Sequence, residues 1–323
     1  MSCEVNWDRG ISVVGHQLWL DPQVVRELAF VSHAHSDHAR RHRRALLTEP
    51  TLSLLSKPRR PHDVEVVPVG QTVVVDGARV TLYDAGHMLG SAMLLFQQPG
   101  RSLLYTGDMK LLRPAGLSTP VPQAQALVME STYGLPHFRF PEPDSVVQEL
   151  ALWCRQAIAA GATPVILAHA LGKAQEVMLL LGRLGFRFAL EERCLPFARG
   201  YEAAGVRLPE WAELSQVEER LADRVVLLPP AGKQALRRLA RYRTALVSGW
   251  AKDPQFSRLF GADSCFPLSD HCDFDELLEV VRLSGAEHVY TVHGYADELA
   301  RHLRRRGVRA HALARTEQLA LAI

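Results

Sequence analysis

Phe30-Val31-Ser32-His33-Ala34-His35-Ser36-Asp37-His38 joins an apolar run to the string His-x-His-x-Asp-His. Imidazole nitrogens and carboxylate oxygens are the donors that borderline-soft divalent ions such as zinc select. Alternate side chains of an extended chain share a face, so His33 and His35 are expected to hold one ion together, while a following turn swings Asp37 and His38 toward a second. One segment cannot complete two coordination shells. The remaining donors are expected from loops at strand ends, and three stretches have that form: Asp84-Ala85-Gly86-His87, Tyr105-Thr106-Gly107-Asp108 and Thr291-Val292-His293-Gly294. An Asp at position 108 would bridge two ions through its two oxygens, and the glycine before His87 would let backbone approach closely.

The rest of the composition sharpens that reading. The chain has 323 residues, 47% hydrophobic and 22% charged, enough for one large domain or two medium ones with a substantial core, which excludes a disordered or collagen-like protein. With 37 basic and 35 acidic residues the net charge is +2, so only local clustering points to a nucleic acid. The cysteines (Cys3, Cys154, Cys194, Cys265, Cys272) are odd in number and lack a CxxC pair, which argues against a disulfide framework and against a thiolate zinc site. A reducing, cytoplasmic setting is expected. The N-terminus lacks a basic region followed by an apolar one, and no run approaches the roughly 18 apolar residues that span a bilayer, so no membrane partner is expected. The 14 histidines are the feature left to explain.

Residues 11–129 read as short strands: Gln17–Leu20, Leu28–Ser32, Val64–Val67, Thr72–Val75, Arg79–Tyr83, Ala92–Phe96, Ser102–Thr106 and Ala126–Met129, most bounded by turn signals such as Asp76-Gly77. A Pro-rich stretch then leads to Asp144, a candidate N-cap for a helix ending at Ala160 before Gly161. From there to about 260 helices alternate with strands at Pro164–Ala168, Phe186–Leu190, Arg224–Leu228 and Ala245–Ser248, the rhythm of a parallel sheet, with helices expected near 192–204 and 232–242. A loop near 252–267 is the candidate return crossing. Helix Asp273–Ser284, strand His288–His293, helix Ala296–Arg306 and strand Val308–Leu313 follow.

Taken in order, Leu20-Asp21, His33-x-His35-x-Asp37-His38, Ala85-Gly86-His87-Met88-Leu89-Gly90-Ser91-Ala92 and Thr106-Gly107-Asp108 resemble the successive motifs of the metallo-β-lactamase fold. Glu130-Ser131-Thr132-Tyr133-Gly134, Ser269-Asp270-His271 and Val292-His293-Gly294 resemble the added motifs of the β-CASP nucleases. The resemblance implies an α/β protein, a metallo-β-lactamase αββα sandwich over residues 1–140 and 266–323, with a β-CASP α/β insertion over 141–265 forming a lid. It further implies two divalent ions, Zn²⁺ with Mn²⁺ as the alternative for activity: His33, His35, His87 and Asp108 around one, and Asp37, His38, Asp108 and His293 around the other. By the same resemblance Asp21 would orient a ligand without touching metal, Glu130 and His271 would lie at the domain seam, and His271 would reach the scissile phosphate or leaving group. Asp37 or Asp108 would orient a hydroxide activated by both ions.

Within that family the chain is most similar in style to bacterial DNA-ligase-associated exonucleases. This implies DNA as substrate, a role in DNA repair, and a DNA ligase and helicase as partners. His293 points the other way, because a His there tends to accompany RNA-cleaving members, so an RNA-processing nuclease is the alternative. A small-molecule metallo-hydrolase is disfavoured by the inserted segment, and a catalytically dead scaffold by the full set of donors. Basic clusters are candidate phosphate contacts, first among them Arg40, Arg41, Arg43 and Arg44 beside the metal segment. The others are Lys57 with Arg59 and Arg60, Arg237 with Arg238, Arg241 and Arg243, and Arg301 with Arg304, Arg305 and Arg306. Lys173, after a Gly at a helix start, is a further candidate.

Overall fold

Runs whose residues alternate between buried and accessible build the first part of the molecule. In Leu18–Leu20, Leu18 and Leu20 are buried while Trp19 faces outward under the Arg26 guanidinium, 3.5 Å from the ring centroid. The computed structural model describes residues 5–217, 221 and 223–313. It divides into two compact units, one running to Arg139 and resuming at His271, the other spanning Phe140–Asp270.

Among the described residues the first unit holds two large sheets, besides the short antiparallel pair Leu112–Arg113 and Leu117–Ser118. One has six strands in the order Val5–Trp7, Ile11–Val13, Leu18–Leu20, Leu28–Phe30, Arg44–Leu47 and Asp63–Val66, antiparallel at the start and parallel from Leu18 onward. The other has seven strands in the order Arg309–Ala312, His288–Val292, Ala126–Glu130, Arg101–Tyr105, Ala92–Gln98, Ala78–Asp84 and Thr72–Val75. Ile11, Val13, Leu20, Phe30 and Leu46 of the first sheet form one apolar core with Val80, Leu82, Leu94, Phe96, Tyr105 and Val128 of the second, so the sheets pack face to face. The opposite face of the seven-stranded sheet, with Met93, Leu104, Leu127 and Val289, is covered by helices Phe274–Ser284 and Ala296–Arg305 through Leu277, Val280, Leu299 and Leu303. That double coverage explains why Ala126–Glu130 is buried at every position.

The second unit is a six-stranded, wholly parallel sheet in the order Trp211–Glu213, Arg187–Leu190, Arg224–Leu228, Thr163–Leu167, Tyr242–Val247 and Ser264–Phe266. Ile166, Phe188, Leu227 and Val247 meet helices Pro143–Ala159 and Lys173–Gly182 on one face, and Val165, Ala189, Val226 and Leu246 meet Leu214, Leu236 and Leu239 on the other.

Several local expectations need correction. The helix expected to begin after Asp144 starts at Pro143, with Glu142 as its N-cap, because proline at the first helical position lacks only an N–H that would be unbonded anyway. The helix expected near 232–242 is a 3₁₀ run, Pro230–Arg238. The loop expected near 252–267 contains helix Pro254–Phe260 and the edge strand Ser264–Phe266. Strands Val5–Trp7, Ile11–Val13 and Arg44–Leu47 add to those expected.

Candidate metal centre

The strand Leu28–Phe30 does not run on through His35. It ends at Phe30, and the Ser32 N–H donates to Asp21 Oδ1 at 2.7 Å instead of to a neighbouring strand. The chain then turns, the amides of His38 and Ala39 both donating to the His35 carbonyl at 3.2 and 3.1 Å. This turn, rather than an extended chain, brings the rings of His33 and His35 to 4.7 Å and those of His33 and His38 to 4.2 Å.

The other donors also leave strand ends. His87 follows Ala78–Asp84, where Asp84 Oδ1 accepts the Gly86 N–H at 3.0 Å. Asp108 follows Arg101–Tyr105 through Gly107, whose φ is +54° and where a Cβ would come within 2.7 Å of Ser32 Cβ. His293 follows His288–Val292 with a φ of +62°, and the Ser131 hydroxyl lies 2.8 Å from the Val292 carbonyl and 2.7 Å from that of His293.

These loops converge on one oxygen. Asp108 Oδ2 lies 3.5 Å from His33 Nε2, 3.4 Å from His38 Nε2 and 4.0 Å from His87 Nε2. His35 Nδ1 is 3.0 Å from His33 Nε2 and 3.3 Å from His87 Nε2, and the donor atoms of His33, His35, His87 and Asp108 all lie within 4.8 Å of one another. Asp37 Oδ2 is 3.7 Å from His38 Nε2 on an exposed turn, and the His293 ring lies 5.3 Å from that of His38.

Asp21 is nearly buried and has a φ of +41°. Its Oδ2 accepts from His38 Nδ1 at 2.8 Å, from the Tyr105 hydroxyl at 2.9 Å and from the Ser32 hydroxyl. The Ser32 oxygen in turn lies 2.9 Å from His33 Nδ1. Because the Ser32 hydrogen goes to Asp21, that oxygen accepts from His33 Nδ1–H, which leaves the Nε2 lone pair directed into the cluster. Tyr105 and Ser32 escaped the sequence reading of site residues. A tyrosine closing an apolar strand reads as core, and only the fold brings it to Asp21.

The electrostatics suit a cation. Burial, and then the neighbouring His38, hold His33 well below the usual imidazole range, so it stays an unprotonated donor. Burial would depress His38 too, but Asp108, Asp37 and Asp21 outweigh it and hold its proton affinity well above normal. Burial would raise Asp108, yet His38 and His271 keep its carboxyl well below the usual carboxylate range. Burial, and then Asp21, push the Tyr105 phenol well up, so it stays a donor. A buried set of converging lone pairs and a carboxylate, with neutral imidazoles among them, fits divalent metal by the chemistry of its donors.

Beside this cluster, the fully buried Glu130 faces His271 Nδ1 with both oxygens, at 3.0 and 2.9 Å, and its Oε1 also accepts the Met109 N–H at 2.6 Å. The His271 ring lies 4.6 Å from that of His87.

The basic candidates are mostly engaged. Arg40 donates to the carbonyls of Gln23 (3.2 Å), Ala39 (2.9 Å) and Ser36, tying down the metal turn. Arg43 pairs with Glu27 at 3.4 Å and Arg44 with Glu65 and, at 3.8 Å, Asp63, while Arg41 is exposed. In the second unit Lys173 is buried between Glu176 and Asp270, the latter at 3.3 Å, so its charge is already matched.

Residues 266–313 match the family described as RMMBL, the Zn-dependent metallo-hydrolase RNA specificity domain. Together with the relatives below, this makes the chain similar to the metallo-β-lactamase/β-CASP nucleases. It is similar over its whole length, at 36% identity, to a protein of Opitutus terrae named "Probable DNA ligase", of which it covers 32%. Over 48% of its length it is 27% identical to an "RNase J-like protein" of Methanocaldococcus jannaschii, covering 43% of that protein. The chain thus spans less than half the length of either relative. A crystal structure of a protein of unknown function from Enterococcus faecalis V583 shares the fold, with a TM-score of 0.57 at 14% identity over 82% of this chain and 74% of that one. No helix among the described residues is long and apolar enough to cross a membrane.

Proposed function

We propose that this chain is a metal-dependent phosphodiesterase that removes nucleotides from DNA ends, an exonuclease acting in DNA repair alongside a ligase. The observation that carries the reading is the convergence of three imidazole nitrogens on Asp108 Oδ2, with the His271–Glu130 pair beside them. His33, His35, His87 and Asp108 would hold one ion, and Asp37, His38, Asp108 and His293 the other. A pair of bound divalent ions lowers the pKa of water, polarises a phosphoryl group and offsets charge on the transition-state oxygens. The residues of the chain supply the rest. Asp21 fixes which nitrogens of His33 and His38 face the centre, and the low proton affinity of His33 keeps it a donor near neutral pH. Glu130 accepts the hydrogen bond of His271 Nδ1–H, so exchange of a proton with a leaving group or phosphate would run through Nε2.

Support for DNA comes from similarity over the full chain to a protein named for DNA ligation, which also favours a ligase as partner; the helicase rests on family resemblance alone. Support for RNA comes from the RNA specificity domain matched at 266–313 and from the RNase J-like relative. Digestion of matched, end-labelled DNA and RNA, with 5′-phosphate, 5′-hydroxyl and blocked 3′ ends, in Zn²⁺ and in Mn²⁺ tests the reading. Mononucleotide release from DNA is expected. Faster cleavage of RNA would transfer the assignment to RNA processing, and inert mixtures with every metal would remove the nuclease reading.

A further inference from the structure

The two sides of the metal centre are oriented by one carboxylate, and two of the groups that fix this carboxylate, Ser32 and Tyr105, lie outside the proposed ligand sets. Three donors meet Asp21 Oδ2: His38 Nδ1 at 2.8 Å, the Tyr105 hydroxyl at 2.9 Å and the Ser32 hydroxyl. The Ser32 amide holds Oδ1 at 2.7 Å. Asp21, Ser32 and Tyr105 are at most 6% exposed, so water does not compete for these bonds. Asp21 sits in the left-handed backbone region, a conformation that costs energy for a residue with a Cβ and persists only where its surroundings over-determine it. From this carboxylate one path runs directly to His38. The other runs through the Ser32 hydroxyl to His33 Nδ1 at 2.9 Å.

We propose that Ser32 and Tyr105 are positioning residues that act through Asp21, Ser32 locking the tautomer and ring of His33 and Tyr105 holding the oxygen that orients His38. The inference rests on the two-metal reading above and deepens it. The two ion sites are thereby mechanically linked: loss of the Tyr105 hydroxyl loosens the oxygen shared by both paths, whereas loss of the Ser32 hydroxyl cuts the path to His33 and takes one donor from that oxygen while leaving its direct bond to His38 in place. Neither residue touches metal or substrate.

The test uses the full chain with Tyr105→Phe and Ser32→Ala. Tyr105→Phe keeps the ring, which packs edge-on to Phe30 with centroids 6.3 Å apart, so its fold is preserved. Zn²⁺ affinity and stoichiometry are read by chelator competition, histidine tautomers by ¹⁵N–¹H correlation of the side chains, and the fold by thermal unfolding of the metal-free protein. The wild type is expected to bind two Zn²⁺ with His33 and His38 both carrying Nδ1–H. Each variant is expected to bind Zn²⁺ about tenfold more weakly, the usual effect of removing a partner behind a metal ligand. Ser32→Ala should mix the tautomers of His33 while leaving His38 unchanged. Affinities within twofold of a two-zinc wild type would overturn the proposal, as would weakened binding that only tracks a lowered metal-free unfolding temperature with tautomers intact. A wild type that binds no Zn²⁺ would instead overturn the metal-centre reading.

Discussion

Each unit buries a cluster of ionisable groups near the ends of its strands, and the two clusters are built in opposite ways. In the second unit Lys173 is enclosed with Glu176 and Asp270, and Glu191 with Arg193 at 2.7 Å, so each buried charge has a partner of opposite sign. In the first unit His33, His35, His38 and His87 gather with Asp108 around a shared space, and no lysine or arginine forms an ion pair with Asp108 among the described residues. Matched charges are complete within the protein, whereas surplus donors call for a cation from outside. The difference separates a structural polar cluster from a site more clearly than burial does, since Lys173 and His33 are both almost wholly enclosed.

Perturbations should therefore act differently on the two units. The largest effect is expected for Asp37→Ala combined with His38→Ala: nuclease turnover should fall by at least about 10⁴-fold with the circular-dichroism spectrum retained, because charge stabilisation by the ions supplies several kcal/mol of the barrier lowering. Substantial residual cleavage by this double variant would refute the assignment of these two residues. Removal of bound metal comes next. Binding that favours the folded state stabilises by about 4 kcal/mol when free metal is a thousandfold above its Kd, so a chelator should lower the unfolding temperature of the first unit and leave that of the second in place. Calorimetry would expose an equal shift in both units, which would break the contrast.

Lys173→Met should cost about 3 kcal/mol in denaturant unfolding by leaving two carboxylates without their cation, yet keep zinc stoichiometry at the wild-type value. Loss of zinc in that variant would show that the buried pair is no mere internal balance. His271→Gln is expected to lower kcat about a hundredfold with metal content unchanged, as for loss of a positioned acid–base group; full metal loss would make it a ligand instead.

The smallest effect concerns His42, buried with Nε2 lacking a hydrogen-bond partner among the described residues and with its pKa lowered to about 4, chiefly by burial. Folded His42 resists protonation while the unfolded chain accepts a proton near pH 6.5. The stability contributed by neutral His42 is thus complete above pH 6.5 and is lost as pH falls toward 4, reaching about 2 kcal/mol by pH 5. Comparing the urea midpoints of the wild type and His42→Gln between pH 7 and 5 isolates this contribution, and parallel pH profiles would eliminate it.

Legibility in the sequence followed the range of the interactions. Helix Phe274–Ser284 was readable because Asp273 and Glu276 form a capping box and Gly285 ends it, all within one short stretch. Strands Val5–Trp7 and Ile11–Val13 were not, because three residues show no periodicity and the turn between them relies on Arg9 at a φ of +48°. Arg44–Leu47 was hidden by its leading arginine, which reads as part of a basic cluster but pairs with acids of the adjacent strand. At the centre, the grouping of His33 to His38 is local and legible. The Asp21–Tyr105 bond spans 84 positions, and no pattern in either segment announces it.

The strand His288–Val292 lies parallel to Ala126–Glu130, and between them in sequence runs the whole second unit. Ser131 and His293, 162 positions apart, share the hydrogen bond that secures the last of the candidate ligands. During synthesis, every other candidate donor of the cluster leaves the ribosome before residue 110, but the donor set stays incomplete until the chain has made the parallel sheet of the second unit and returned. Contacts so distant in sequence form late. The histidines of the early loops thus wait as a partial donor set until strand His288–Val292 pairs with Ala126–Glu130 and delivers His293, the last of the candidate ligands.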